Sequence, residues 1–151
     1  MDIIIRKMEI CDIPDMIKLN DEFNGIGATF DSMKDSLENN SREIVFVAVN
    51  DINDNDNEII GFICAQLYQS ICYVGLQCEI TELFVREEYR RNGIAKKLIK
   101  QIEAEFKKHD GYEITLETGK DNIAAQRFYE SCGYKRDGEI VYCKILKGEN
   151  S

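Results

Sequence analysis

The chain has 151 residues, of which 44% are apolar and 31% charged, and its net charge is −9. That length suits one globular domain with a working hydrophobic core, and the apolar content excludes a disordered chain. The acidic balance disfavours nucleic acid, whose phosphates would be repelled. No apolar run approaches the ~18 residues of a membrane span, and the N-terminus lacks the basic flank and cleavage site of an export signal. A single cytoplasmic domain over residues 1–151, with no membrane partner, is therefore expected. Cys11, Cys64, Cys72, Cys78, Cys132 and Cys143 show no C-x-x-C spacing and His109 is the one histidine, so reduced thiols and no metal site are expected.

Residues 3–5 predict a first strand. Asp12, Ile13 and Pro14 open a helix, with Asp12 as the expected N-cap and Pro14 in the first turn, where a missing N–H costs nothing. Its apolar stripe is Ile13, Met16, Ile17 and Phe23. After a loop at 24–28, Asp31 or Ser32 is expected to cap a short second helix containing Met33 and Leu37. Residues 43–50 and 59–68 are rich in β-branched and aromatic side chains and read as strands, with the polar stretch 50–57 as an exposed hairpin loop. Counted from Asp51, that stretch lacks the Gly at position six and the Glu at position twelve of a calcium loop. Residues 72–85 make a third long strand and complete an antiparallel meander.

The strand is followed by Arg90-Arg91-Asn92-Gly93-Ile94-Ala95. Gly93 has no Cβ, so phosphates could approach the backbone, and the free amides and dipole of the helix that follows favour an anion. Residues 86–100 carry a local excess of four positive charges on this acidic protein, which points to an anionic cofactor. Neither a G-x-x-x-x-G-K-[ST] loop nor a dinucleotide fingerprint is present. From Gly93 onward, Ile94, Ala95, Leu98, Ile99, Ile102 and Phe106 recur at helical spacing, with Glu103 and Glu105 outward and Asp110-Gly111 as the stop. Residues 112–118 read as a strand, and Asp121 or Asn122 caps a fourth helix that packs through Ala124, Ala125, Phe128 and Cys132 and ends at Gly133. Asp137-Gly138 signals a hairpin joining 134–136 to a last strand at 139–146. The expected fold is α/β, a mixed and mostly antiparallel sheet flanked by about four helices.

The hexapeptide resembles the acyl-CoA pyrophosphate loop, R/Q-x-x-G-x-G/A, of the GNAT family of N-acetyltransferases. Asn122-Ile123-Ala124-Ala125-Gln126-Arg127-Phe128-Tyr129, running on to Gly133-Tyr134, resembles the same family's second signature, N-x-x-A-x-x-F-Y-x-x-x-G-Y/F, at the expected place after the next strand. The resemblance implies the family's acyl-CoA N-acyltransferase fold and acetyl-CoA as co-substrate. It further implies that the backbone of Leu83, Phe84 and Val85 pairs with the pantetheine arm, and that Arg90, Arg91, Asn92, Gly93, Ile94, Ala95 and Lys96 surround the pyrophosphate. Asn122 would bond the cofactor near its thiol end, with Ala125 and Phe128 beside it, and Tyr129 would protonate the departing thiolate. Ala95 stands where the family often has a second glycine.

For the base, Glu82 and Glu79 compete. Strand alternation puts them on opposite faces unless a bulge intervenes, and Glu82 is preferred. An amide of Leu83 or Phe84 is the expected oxyanion donor. The acceptor is expected to be a small cationic amine of aminoglycoside or polyamine type, and the family's habit of pairing makes a homodimer the expected assembly. A protein N-terminus or lysine is the alternative acceptor, and a non-catalytic acyl-CoA-binding domain is the alternative from another class.

Overall fold

The computed structural model describes residues 2–51 and 58–148, which form two compact units, 1–117 and 118–151. The hairpin loop and the Asp/Asn-rich stretch expected at 50–57 lie, from residue 52, outside the described residues.

The first unit is built on five strands, β1 (Ile3–Lys7), β2 (Glu43–Asn50), β3 (Glu58–Tyr68), β4 (Leu76–Val85) and β5 (Gly111–Leu116), in the order β1-β2-β3-β4-β5. The first three pairings are antiparallel and β4 with β5 is parallel, as a strand-helix-strand crossover demands. Helices α1 (Ile13–Asn24) and α2 (Phe30–Asn39) precede the meander, and α3 (Ile94–Lys108) makes the crossover.

Period-two alternation divides the sheet between two cores. On one face Val47, Val49, Ile59 and Phe62 meet Met16 and Leu19 of α1, all buried. The alternate residues Phe46, Ile63, Ala65 and Ile80 are buried on the other face, and α3 packs across the sheet with Ile94, Leu98, Ile99, Ile102 and Phe106 buried. These buried aliphatic and aromatic side chains, at roughly 1.5–3 kcal/mol for each large one fully buried, supply the main drive for this sandwich.

Several local expectations change. Asp12 does not cap α1 with its side chain; a 3₁₀ turn (Ile10–Asp12) precedes the helix, and the carboxylate accepts from Arg6 at 2.7 and 2.8 Å and from the Glu9 amide at 2.7 Å. Burial opposes ionisation of Asp12, yet these donors hold its carboxyl below the usual range. Thr29, rather than Asp31 or Ser32, caps α2 in a box closed by Ser32. Glu105, expected outward, is 8% exposed and pairs with Lys7 at 3.2 Å and Lys108 at 3.5 Å. The third strand begins at Leu76 rather than at 72.

The second unit holds α4 (Ile123–Ser131), which Gly133 ends in a left-handed conformation, φ 93°. The strands expected at 134–136 and 139–146 are absent: residues 134–145 carry no regular structure. The turn signal itself survives, since Asp137 accepts from the Glu139 amide at 2.9 Å and Gly138 has φ 83°. A strand needs a ladder partner, which no residue composition supplies alone.

Candidate active site

The connection from β4 to α3 is the first component of the site. Arg91 (φ 66°) and Gly93 (φ 74°, ψ 12°) are both left-handed, and successive amides in such a turn form a concave nest for an anion. Gly93 is the N-cap of α3 and offers no side-chain acceptor; the first intrahelical bond is Lys97 N–H to the Gly93 carbonyl at 3.1 Å. The amides of Ile94, Ala95 and Lys96 are thus the unsatisfied donors of a helix start. Asn92, expected among the ligands, donates to the carbonyls of Tyr89 and Arg90 at 3.0 and 3.2 Å and so shapes the turn from within. Arg90, though exposed, folds back over β4: its Nε donates to the Val85 carbonyl at 3.0 Å and its guanidinium lies 6.0 Å from the Phe84 ring centroid. Arg91 and Lys96 are exposed.

Residues outside either motif hold this turn. Glu58 of β3 accepts from Arg86 at 2.8 Å and from the Tyr89 hydroxyl at 2.9 Å, clamping the entry to the loop against the sheet. Only the fold brings residue 58 to residue 89, so no local signal in the sequence could have found it.

The second component is the end of β4. Its ladder with β5 stops at Ile80 and Leu116, so residues 81–85 have no strand partner on that side among the described residues. The Arg86 amide bonds the Ile60 carbonyl of β3 at 2.8 Å, and alternation from there turns the Phe84 amide toward β3 and the Leu83 and Val85 amides toward the open edge. Of the two expected oxyanion donors, Leu83 is free and Phe84 is engaged. Gly61 lies opposite Val85, where a Cβ would come within 2.7 Å of the Phe84 carbonyl, so the close approach of β3 requires glycine.

A β-bulge settles the facing of the two carboxylates. The register passes from Cys64↔Glu82 to Ala65↔Ile80, leaving Thr81 as the extra residue, its hydroxyl donating to the Cys64 carbonyl at 3.3 Å. Glu79, paired with Gln66, therefore shares a face with Glu82, and the simple alternation expected from the sequence does not hold. Only Glu82 lines the cavity on that face.

This cavity is the third component. It has a volume of about 160 Å³ and lies between α1, α2 and the strands β2, β3 and β4. Met8, Met16, Met33, Val45 and Phe62 make its apolar walls. Three of these, Met8, Met33 and Val45, pack on the buried core while remaining partly uncovered, so the cavity is an unfilled margin of that core. Ser36, Glu43 and Glu82 are among its polar groups. Glu43 accepts from Ser36 Oγ at 2.8 Å and from Gln66 Nε2 at 2.9 Å. Cys64, between the two carboxylates, has its thiol pushed up by burial and then by Glu43 and Glu82, and stays protonated.

In the second unit, Asn122 caps α4 by accepting from the Ala125 amide at 3.1 Å, which commits the carbonyl of its side chain and leaves the amide nitrogen. Tyr129 packs edge-on against Phe128 at 5.3 Å and Tyr134 at 6.4 Å between centroids, and burial pushes its hydroxyl pKa up, keeping the phenol protonated. Gln126 donates to the carbonyls of Gly119 and Lys120 and accepts from Arg136, bracing the turn before α4.

A parallel strand pair whose ladder ends at Ile80 and Leu116, followed by a glycine-capped helix, leaves main-chain donors able to meet an extended, anion-bearing ligand. The model of the acetyltransferase (GNAT) family matches residues 13–134, and the chain belongs to that family. N-alpha-acetyltransferase 30 of Schizosaccharomyces pombe is 39% identical over 113 residues, 72% of this chain and 68% of that protein. Human N-acetyltransferase 8 is 29% identical over 93 residues, 61% of this chain, which spans only 40% of that relative's length. Among solved structures, an aminoglycoside acetyltransferase from an uncultured soil metagenomic sample superposes with TM-score 0.81 at 21% identity, covering 97% of each chain. AAC(6')-Iy, in complex with a bisubstrate analogue, does so with TM-score 0.80 at 18% identity over 97% of this chain and all of that one. At such identities the likeness is one of fold.

Proposed function

We propose that the protein is an acetyl-CoA-dependent N-acetyltransferase that modifies a small primary amine by direct transfer. The observation that carries the reading is the uncapped start of α3: three free amides behind a left-handed Gly93, at the end of an open β4 edge. A pyrophosphate fits these donors, with Arg91 and Lys96 supplying charge, and the Leu83 and Val85 amides suit an extended arm that pairs as an added strand. When bound, the co-substrate supplies an acetyl carbon already activated as a thioester.

The residues of the chain then have separable tasks. An alkyl amine with the pKa of lysine is almost wholly protonated at pH 7, so releasing the neutral nucleophile costs about 4–5 kcal/mol. Glu82, with no hydrogen bond or ion pair to its carboxylate among the described residues, takes that proton directly or through water. The new N–C bond forms as the C–S bond breaks, the Leu83 amide meets the charge gathering on the carbonyl oxygen, and the nitrogen gives up its surplus proton to solvent. Tyr129, assigned by the second motif, gives its proton to the departing sulfur and recovers one from solvent. A covalent acyl-enzyme on Cys64 is disfavoured because its thiol is held protonated. The 39% identity to an N-alpha-acetyltransferase favours a protein N-terminus as the second reading of the acceptor.

Thermal melting with and without acetyl-CoA tests the proposal. Ligand at 100 times its dissociation constant adds about 2.7 kcal/mol, a shift of roughly 5–10 °C for a chain of this size. No shift at millimolar acetyl-CoA would remove the pyrophosphate site, and the enzyme reading with it.

A further inference from the structure

Resting on the acetyltransferase reading, we infer that the acceptor is a monoamine whose ammonium is carried on one compact apolar group, about the size of a benzene ring. Aminoglycosides and polyamines are then poor substrates. Three observations converge on this class.

The first is size. The cavity measures about 160 Å³, and a cavity of roughly 150 Å³ holds a single benzene. An aminoglycoside is built of several rings, each at least that large.

The second is the wall. Met8, Met16, Met33, Val45 and Phe62 make most of the wall and offer no hydrogen-bond partner, and Asn20, Ser36 and Glu43 each already hold a bond within the protein, so most hydroxyls of a sugar would be stripped of water without full compensation. Methionine side chains adapt in shape, which allows several apolar groups of similar volume.

The third is charge. Both oxygens of Glu43 accept hydrogen bonds, from Ser36 and Gln66, whereas the Glu82 carboxylate has no hydrogen bond or ion pair among the described residues. Glu82 also adjoins Leu83 in sequence, where β4 turns an amide to its open edge. Glu82, beside the reacting edge, takes the reacting ammonium, and a second ammonium would have only Glu43, whose two oxygens already accept from Ser36 and Gln66.

The test is thiol release from acetyl-CoA by the full chain with 2-phenylethylamine, isopentylamine, spermidine and kanamycin. The kcat/KM values for the first two should exceed those for the last two by at least about tenfold. Ala28 reaches the cavity from the loop before α2, a position that tolerates bulk without disturbing the core. Ala28→Phe should therefore shift the ratio of 2-phenylethylamine to methylamine by about tenfold toward methylamine. Met33→Ala, which enlarges the cavity, should shift preference the other way, toward 4-phenylbutylamine.

Equal or better turnover of spermidine or kanamycin would overturn the inference and leave the enzyme reading standing, as would unchanged ratios in both folded variants. If acetyl-CoA raises the melting temperature but none of these amines releases thiol, the inference is overturned, and thiol release with a peptide bearing a free N-terminus would leave the enzyme reading standing.

Discussion

Two regions beside β4 are built from different materials. Beyond its C-terminal end the candidate anion site is main chain: left-handed Arg91 and Gly93, three unbonded amides and the dipole of α3. On the face that carries Glu82 the candidate acceptor cavity is walled by side chains drawn from α1, α2 and three strands. A backbone site is specified by a few residues in succession and tolerates variation in side chains. A side-chain cavity is specified by none of its parts alone, and changing any wall changes what it accepts.

This contrast predicts which measurement each substitution moves. Glu82→Gln should lower kcat by at least about 100-fold and remove the acidic limb of the pH profile, the scale of a lost general base, with acetyl-CoA affinity unchanged. Weaker acetyl-CoA binding in that variant would show that the two regions are not separable. Tyr129→Phe should lower kcat about tenfold, since a thiolate leaves with less help than an amine needs in order to attack. Single-turnover rates equal to the parent's would take Tyr129 out of the chemistry.

Gly93→Val should do the reverse of Glu82→Gln. The open space around Gly93 means that a side chain meets no clash, but holding it at φ 74° costs about 1–2 kcal/mol. Roughly tenfold weaker acetyl-CoA binding is expected, read by calorimetry, with kcat at saturation preserved. Lys96→Ala should cost only about threefold and only at low salt, as for an exposed charge. A larger, salt-independent loss would mean that side chains rather than amides hold the anion.

The acceptor region also has an acid-sensitive anchor. Asp12 joins β1 to the start of α1, which walls the cavity, and its carboxyl is held below the usual range despite burial. A depressed carboxylate contributes stability above its unfolded pKa of about 3.9 and loses it as pH falls through the lower folded value. Stability should therefore fall below about pH 4, and Asp12→Asn should cost about 2 kcal/mol at neutral pH by chemical denaturation, with a flatter acid dependence. An unaltered acid profile would assign the loss to other groups.

The elements themselves were largely legible. Residues 43–50 and the α3 stripe of Ile94, Leu98, Ile99, Ile102 and Phe106 follow expectation because one buried face imposes a period of two or of 3.6. The failures are equally physical. The expected strand at 139–146 has suitable residues, yet Ile140, Tyr142 and Leu146 are 73%, 88% and 79% exposed and residues 134–145 form no ladder. Asp12 reads as a helix cap until Arg6, six residues away, is brought against it. Glu105 sits at a position that looks solvated until Lys7 arrives from β1.

By itself the sequence determined the strand, turn and helix around Gly93 and the missing side-chain cap on α3, because each depends on neighbours within one helix or turn. Tertiary structure alone decided that Glu79 and Glu82 share a face, since the Thr81 bulge exists only in the register of β4 against β3. It also decided that Glu58 clamps Tyr89, that Arg90 folds back onto the Val85 carbonyl, and that three methionines from separate elements bound one cavity. Local signals encode backbone geometry within a few residues; the choice of acceptor lies in side chains that meet only after the chain has folded.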